Sequence, residues 1–397
     1  MELSKKGLNI SESLTLAISA KANAMKAKGY DVIGFGAGEP DFDTPEYIKE
    51  AAREALAVGF TGYTSASGTS DLKKAICDKF KNDNDLDYKE SQIIVSNGAK
   101  HSLFNTFQAI INTGDEVIIP IPYWVSYPEM VKMAGGKPVF VESSLDNNFK
   151  IDIASLKKNI NNNTKALILN SPCNPTGSVY TEDELRDIAE VAIEEDIFVV
   201  SDEIYEKIIY DGKKHVSIAS FGPDIKERTI VINGMSKAYA MTGWRIGFAA
   251  ADEKIINIMS NIQSHSTSNP NSIAQYASVR GLKGGKDKIR KMVREYDKRR
   301  EYMVETINEI DGISCTKPGG AFYVMLNFSD LIANNYEGNE IDGSLSFADY
   351  LLEAEKVAVV PGIAFGADNL LRLSYATSME NIAKGLKRIE NFVTQLA

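Results

Sequence analysis

The stretch SKAYAMTGWRIG, residues 236–247, follows a short apolar run at 229–233 and overlaps the start of a second run at 245–249. Neither run alternates cleanly between apolar and polar residues, as is typical of strands buried on both faces of a sheet. Lys237 then follows the carboxyl end of a strand, where parallel sheets bind their ligands. Arg245, eight residues later, is a planar cation suited to a phosphate. Taken alone, however, a lysine beside a strand is usually a solvated surface residue.

Similar apolar runs alternate with helical stretches upstream of this segment. Thr44 and the proline after it predict an N-cap and a first helical residue, with Gly59 as the stop. Thr181 and Glu184 form a capping box that predicts a helix to about Glu195. Strand and helix in turn indicate an α/β fold, with a mostly parallel sheet covered by helices on both faces. The further predicted strands are 93–96, 116–119, 138–141, 165–169 and 197–201.

Residues 286–310 have a different pattern, with apolar residues on one side of a 3.6-residue period and dense charges opposite. They predict one long amphipathic helix that connects the main sheet to a C-terminal α+β part. The predicted division is therefore 1–47 as an N-terminal arm and part of a small domain, 48–285 as the large domain, and 286–397 as the connecting helix and small domain. The apolar positions are Ile289, Met292, Val293, Tyr296, Met303, Ile307 and Ile310.

Composition narrows the class of protein. The formal charge of −10 argues against nucleic acid and anionic membranes as partners. No apolar stretch approaches the length of a membrane span, and no apolar run follows the first lysines as in a secretory signal. Three widely separated cysteines favour neither a disulfide framework nor a metal site, so we expect a cytoplasmic protein without a metal.

Three familiar motifs are not satisfied. Gly34, Gly36 and Gly38 suggest a dinucleotide fingerprint, but Glu39 and a proline stand where a glycine and a helix are needed. Residues 281–286 lack the flanking pattern of a P-loop. Three histidines give little material for a Ser-His-Asp triad.

Polar side chains instead follow three predicted strands. NSPCNPTG at 170–177 follows one strand, SDEIY at 201–205 follows the next, and the lysine segment follows the third. A single Asp at a strand end is more often a turn former than a functional group. Asn, then Asp with Tyr, then Ser-Lys-Arg is a combination that independent capping does not predict. We therefore expect one site at this edge of the sheet.

With these segments in place, the chain resembles the class I aminotransferases of PLP-dependent fold type I, within the branch of bacterial aspartate aminotransferases. The resemblance implies a large domain with a mostly parallel seven-stranded sheet flanked by helices, and a smaller α+β domain. It covers essentially the whole chain in matching order: GEPDF at 38–42, GYT at 62–64, YWVSYP at 123–128, NPTG at 174–177, the lysine segment, and RLSYA at 372–376.

The resemblance also implies a cofactor, pyridoxal 5'-phosphate (PLP), and a role for each residue around its ring. Lys237 holds the cofactor covalently and then moves the substrate α-proton. Asp202 faces the ring nitrogen and keeps it protonated. Tyr205 and Asn174 bind the ring oxygen, and Trp124 stacks on the ring face.

A second group of residues is implied for the cofactor phosphate. Gly98, Ala99 and Lys100 would donate backbone N–H groups at the start of a helix, where the unpaired amides and the helix dipole favour anions. Ser236 and Arg245 would complete the phosphate site.

The remaining cofactor and carboxylate contacts follow from the same resemblance. Tyr63 would reach the phosphate of a neighbouring subunit, which makes the protein a homodimer with shared active sites. Arg372 would bind the substrate α-carboxylate, helped by the Gly38 backbone and Asn174. One departure is Gly234, where many members have a serine three positions before the lysine.

Substrate identity is the least determined point. Lys100, Ser13 and Thr15 match residues that can bind the distal carboxylate of aspartate or glutamate in this branch, although Ser13 and Thr15 also fit ordinary helix-start chemistry. We expect aspartate as the amino donor and 2-oxoglutarate as the acceptor, with residues before about Ser19 closing over the substrate. Prephenate or aromatic substrates, a PLP β-lyase activity and a non-catalytic PLP-fold regulator remain alternatives.

Overall fold

The computed structural model describes residues 2–12 and 14–396. Two groups of strands organise it, a large central sheet and smaller sheets built largely from the C-terminal third. In chain order the strands are β1 (Ile33–Gly34), β2 (Ile93–Ser96), β3 (Glu116–Ile121), β4 (Lys137–Glu142), β5 (Thr164–Asn170), β6 (Phe198–Asp202), β7 (Thr229–Gly234), β8 (Gly247–Ala250), β9 (Ser314–Cys315), β10 (Tyr323–Asn327), β11 (Asn335–Tyr336), β12 (Asn339–Glu340), β13 (Val357–Ala358), β14 (Val360–Pro361) and β15 (Leu370–Ser374).

Helices separate most of these strands. In chain order they are α1 (Lys5–Leu8), α2 (Leu14–Ala27), α3 (Glu46–Ala57), α4 (Ser70–Asn84), α5 (Ala99–Ile110), α6 (Ser126–Ala134), α7 (Ile153–Asn159), α8 (Glu182–Glu194), α9 (Pro223–Arg228), α10 (Glu253–Ser266), α11 (Ser272–Lys283), α12 (Lys286–Asn308), α13 (Ser344–Glu355) and α14 (Met379–Val393). Among the helices of the described residues, none has the length and hydropathy needed to cross a bilayer.

The central sheet has seven strands in the order β2-β8-β7-β6-β5-β3-β4. Only β8 runs antiparallel to its neighbours β2 and β7, and the other pairings are parallel. Every residue of β7 is buried, which fits a strand covered on both faces. The predicted α/β fold with a mostly parallel seven-stranded sheet is confirmed.

The smaller part is a four-stranded antiparallel sheet in the order β14-β15-β10-β9, packed with α13 and α14. β1 pairs in parallel with β13, so the segment before the large sheet adds a strand to this part. Helix α12 contributes Met292, Tyr296, Met303 and Ile307 to the same core. The predicted domain boundaries at 47/48 and 285/286 stay a prediction.

Thr181 forms the predicted capping box at the start of α8. Its side chain accepts a bond from the Glu184 amide (3.3 Å), and the Glu184 carboxylate accepts one from the Thr181 amide (2.7 Å). The prediction for α3 was wrong by one residue. The helix begins at Glu46, because the Thr44 hydroxyl is used elsewhere: it donates to the Ala240 carbonyl (2.6 Å) and accepts from the Trp244 indole (3.0 Å).

The prediction that a strand begins at Arg245 was also wrong. Its φ is +57°, a left-handed conformation that a strand residue cannot have, and β8 begins two residues later at Gly247. The turn directs the Arg245 guanidinium back towards α5, where it donates to the Asn97 carbonyl (3.2 Å). The irregular backbone therefore has a direct effect on the site.

Candidate active site

One cavity of about 720 Å³ opens where the carboxyl ends of β5, β6 and β7 meet the start of α5. Residues of β1, β13 and α2 close its other side, so both parts of the molecule contribute to it. Such a position at the carboxyl edge of an α/β sheet is where this architecture binds ligands. Eleven of the predicted site residues line the cavity: Gly38, Ala99, Lys100, Trp124, Asn174, Asp202, Tyr205, Ser236, Lys237, Arg245 and Arg372.

Asp202 is the last residue of β6 and its carboxylate is buried at the floor of the cavity. Tyr127 donates its hydroxyl to one carboxylate oxygen (2.8 Å), and the Ile204 amide donates to the other (3.2 Å). Burial raises the pKa of Asp202 to about 6, although these two hydrogen bonds oppose the rise. A buried carboxylate in this position is suited to pair with a protonated ring nitrogen.

Lys237 follows β7 and extends towards the same cavity. Its ammonium donates to the Gly38 carbonyl and lies 5.7 Å from the centroid of the Tyr205 ring. Burial, followed by the positive charges of Arg372 and Arg245, lowers the pKa of Lys237 to about 8. A lysine with a lowered pKa has an appreciable neutral fraction near pH 7, and the neutral amine is the form that attacks an aldehyde and accepts a proton.

The start of α5 forms an anion site with Arg245. The Ala99 and Lys100 amides are the first two of the helix, so no intrahelical acceptor exists for them. Gly98 has a φ of +87°, and a Cβ there would lie 2.2 Å from the Arg245 Nη2 atom. The glycine thus brings the guanidinium against the helix N-terminus, and both groups favour a phosphate.

The backbone around Gly234 leaves no room for a side chain. A Cβ at this position would lie 2.9 Å from both the Gly247 Cα and the Ile246 carbonyl, because β7 and β8 approach closely there. A serine side chain does not fit this backbone. The neighbouring Ser236 is buried and lines the cavity, so it is the hydroxyl available on this loop.

A second cationic centre lies on the opposite side. Arg372, 3% exposed, donates to the Asn174 side-chain oxygen (2.9 Å) and to the Gly36 carbonyl (3.1 Å). Its Nε atom has no partner among the described residues, and none of their carboxylates forms an ion pair with it. Burying an unpaired guanidinium is costly, which makes this a site for an incoming carboxylate.

Some predicted residues lie outside the cavity lining. Gly98 packs against the Arg245 guanidinium, which does line the cavity. The Tyr63 side chain is 93% exposed and does not line it. Ser13 lies outside the described residues. Thr15 belongs to helix α2, but its side chain is also outside the described part.

Several cavity-lining residues were missed by the sequence patterns, and three of them have polar side chains that bear on the site. Tyr127 binds Asp202, and Tyr323 shares a hydrogen bond with Tyr205 (2.9 Å). The third is Lys26 of α2, an exposed residue that lines the cavity. Tyr127 could have been predicted, because it belongs to the YWVSYP segment quoted above. The other two carry no local motif.

Comparison with known proteins agrees with this geometry. The sequence profile described as "Aminotransferase class I and II" matches residues 30–389. The chain belongs to this aminotransferase family. It is 51% identical to an aspartate aminotransferase of Bacillus subtilis (strain 168), over 99% of both chains. It is 46% identical to an aspartate/prephenate aminotransferase of Nitrosomonas europaea, over 99% of this chain and all of the relative. The crystal structure of an aspartate aminotransferase from Rhizobium meliloti matches all of both chains with a TM-score of 0.97 and 42% identity.

As a member of the aminotransferase family, this protein is a transferase that uses PLP. The cavity fits that cofactor on three independent counts. The α5 start and Arg245 form an anion site for its phosphate, Asp202 supplies the buried carboxylate for its ring nitrogen, and Lys237 supplies an amine of lowered pKa for its aldehyde.

Proposed function

We propose that this aminotransferase moves the amino group of aspartate to 2-oxoglutarate. The observation that carries the proposal is the presence of two separate cationic groups in one cavity. Arg372 is buried without a carboxylate partner among the described residues, and the Lys100 ammonium lies 4.9 Å from the centroid of the Trp124 ring at another wall. A substrate with two carboxylates satisfies both cations, whereas an apolar amino acid leaves one of them without a counter-charge.

The proposed roles of the chain's residues follow from their positions. Arg372, held by Asn174 and the Gly36 carbonyl, binds and orients the α-carboxylate. When bound, PLP supplies the electron-accepting ring that stabilises the negative charge left at the substrate α-carbon. Asp202 would keep the proton on the ring nitrogen. The Lys237 Nζ atom would take the α-proton from the substrate and pass it to the cofactor, and in the second half of the cycle it would move a proton from the cofactor to the α-carbon of the new amino acid.

The aromatic residues position these groups. Tyr127 holds the Asp202 carboxylate through its hydroxyl, and Trp124 packs edge-on against Tyr127 with ring centroids 5.3 Å apart. Tyr205 and Tyr323 share one hydrogen bond, so the Tyr205 hydroxyl is already directed by a buried neighbour. We assign Trp124 to the face of the cofactor ring and Tyr205 to its oxygen.

A panel of amino donors tests the proposal. The holoenzyme is mixed with each amino acid in the absence of an oxo acid, and loss of the aldehyde form of PLP is followed by absorbance. We expect aspartate and glutamate to react with a kcat/KM at least about a hundredfold above that of alanine, as a stranded cation costs several kcal/mol. Equal values for alanine and aspartate would contradict the proposal.

Two variants separate the carboxylate sites within this panel. Arg372→Lys keeps the positive charge but loses the planar guanidinium with its paired donors. The variant should therefore bind every amino acid substrate more weakly. Lys100→Met should lower kcat/KM for aspartate and glutamate, while kcat/KM for alanine stays within about twofold of the value for the unaltered enzyme. The same loss for alanine and aspartate in Lys100→Met would remove Lys100 from the specificity argument.

Prephenate is a second candidate substrate, favoured by the name of the Nitrosomonas europaea relative. Adding prephenate as the amino acceptor, after aspartate has converted the cofactor to its amine form, tests it directly. A β-lyase would instead release pyruvate steadily from cysteine conjugates without an oxo acid.

We also propose a cytoplasmic homodimer in which Tyr63 reaches the partner's cofactor, since an almost fully exposed tyrosine suits a contact between subunits.

A further inference from the structure

Tyr323 and Arg372 lie side by side on two neighbouring strands of the small sheet. In the antiparallel register of β10 and β15, Tyr323 is opposite Ser374, two residues from Arg372. Such diagonal neighbours share one face of a sheet and lie within reach of aromatic and long side chains. Both residues line the active-site cavity, so this face of the small sheet forms part of its wall.

The Tyr323 ring packs against the Arg372 guanidinium. The guanidinium carbon lies 4.4 Å from the centroid of the Tyr323 ring and 5.0 Å from that of Phe365, and both aromatic residues are fully buried. Attraction between a cation and an aromatic ring is strongest where water is excluded. Two hydrogen bonds hold the Nη atoms of Arg372, and the rings restrict the remaining movement of the group.

The Tyr323 hydroxyl contacts a different neighbour. It lies 2.9 Å from the Tyr205 hydroxyl, and neither hydroxyl has another hydrogen-bond partner in the part of the chain that the structure describes. Each hydroxyl has one proton to donate and can also accept. If the Tyr205 proton is used for the cofactor oxygen, the bond between the two hydroxyls must be donated by Tyr323. Tyr323 has no competing acceptor, so its proton is available for this bond.

Other buried tyrosines of this region satisfy their hydroxyls differently. Tyr210 and Tyr375 both donate to the Ala321 carbonyl, and neither lines the cavity. One backbone acceptor of this kind is enough for a tyrosine that only fills a core. Tyr323 instead directs its hydroxyl to Tyr205, whose side chain lines the same cavity.

We propose that Tyr323 is a positioning residue that acts on both the substrate side and the cofactor side of the active site. Its ring holds the Arg372 guanidinium in the orientation that receives the substrate α-carboxylate. Its hydroxyl donates to Tyr205, which leaves the Tyr205 proton for the cofactor oxygen. The inference rests on the roles proposed above for Arg372 and Tyr205, but not on the choice of aspartate as the amino donor.

The first experiment removes only the hydroxyl, with the variant Tyr323→Phe. The absorbance of the holoenzyme is followed against pH, because the colour of the cofactor depends on whether its link to Lys237 is protonated. A hydrogen bond from Tyr205 to the ring oxygen favours the form that has lost the proton. The midpoint should therefore rise by about 0.5 pH unit in Tyr323→Phe and by more in Tyr205→Phe.

Two comparisons show whether the hydroxyl acts through Tyr205. Adding Tyr323→Phe to Tyr205→Phe should cause no further shift of the midpoint, since the group through which it acts is already gone. Tyr375→Phe is the matched control, because it removes another buried hydroxyl of the same region that does not line the cavity. It should keep the midpoint of the unaltered enzyme.

The second experiment removes the ring, with the variant Tyr323→Leu. This variant should raise KM about tenfold for every amino acid that the enzyme accepts, whereas Tyr323→Phe keeps the ring and should stay within about twofold. The Kd of maleate, a dicarboxylate that cannot donate an amino group, should divide the two variants in the same way when it is measured by calorimetry on the holoenzyme.

The outcomes separate this inference from the roles on which it rests. A midpoint that shifts in Tyr205→Phe but not in Tyr323→Phe would overturn the inference alone, as would an equal shift on adding Tyr323→Phe to Tyr205→Phe. Unchanged maleate affinity in Tyr323→Leu would overturn the role of the ring. If Tyr205→Phe itself leaves the midpoint unchanged, the proposed role of Tyr205 fails, and the role of the Tyr323 hydroxyl fails with it.

Discussion

The buried environment of Asp202 suits a carboxylate that is paired with the cofactor, but it disfavours an ionised carboxylate in the cofactor-free protein. Burial raises the pKa of its carboxyl from 3.8 to about 6, so the ionised form is disfavoured in the folded, cofactor-free chain. The folded state then binds more protons than the unfolded state between these two pKa values. Stability consequently falls as the pH rises through this window, and the full penalty applies above pH 6.

The variant Asp202→Asn tests this at the scale of one residue. Without the charge, the cofactor-free variant should gain about 1–3 kcal/mol in free energy of unfolding at pH 7.5, and the gain should shrink towards zero as the pH falls to 4. Urea unfolding at several pH values measures it. The same variant should bind PLP more weakly. A loss of stability at pH 7.5, or a gain that does not depend on pH, would contradict this account of Asp202.

At the scale of the element, the junction of β2 and α5 needs a glycine at position 98. Its φ is positive, and a side chain there would collide with the Arg245 guanidinium. Gly98→Ala should lower the free energy of unfolding by about 1–3 kcal/mol through its positive φ, and it should also displace the Arg245 guanidinium. We expect PLP to bind the variant about tenfold more weakly, measured by calorimetric titration of the cofactor-free protein.

Gly114→Ala is the matched control, since Gly114 has a φ of +97° and no atom within 4 Å of an added Cβ. It should lose similar stability and keep its PLP affinity. If both variants bind PLP equally well, the Arg245 guanidinium is not part of the phosphate site.

Features with a local sequence signal could be predicted, whereas features set by contacts between distant residues could not. Strands and capping boxes were predictable because their signals are local, as at Thr181 and in the run at β2. Thr44 was misassigned because its hydroxyl bonds to Ala240 and Trp244, about two hundred residues away in sequence. Family motifs indicated Lys237 and its neighbours, whereas Tyr323 reaches Tyr205 across the fold and had no motif to indicate it.

For the whole molecule, the proposal of shared active sites has a distinctive consequence. If Tyr63 acts in the partner's site, Lys237→Ala and Tyr63→Ala damage the same site of a mixed dimer and leave the other site intact. Unfolding and refolding the two variants together, in equal amounts, should then recover about a quarter of the unaltered activity. Each variant refolded alone serves as the control. No recovery, with mixed dimers demonstrated by mass spectrometry, would place Tyr63 in its own subunit's site. Full activity of Tyr63→Ala refolded alone would place it in neither site.

The central claim is that the Lys237 amine holds the cofactor in the cavity that Asp202 and Arg245 define. Borohydride reduction of the holoenzyme, followed by proteolysis and mass spectrometry, tests it directly by making the link between lysine and cofactor permanent. We predict a single pyridoxyl-phosphate adduct, on Lys237. An adduct on another lysine, or no adduct in protein that retains PLP, would contradict the account.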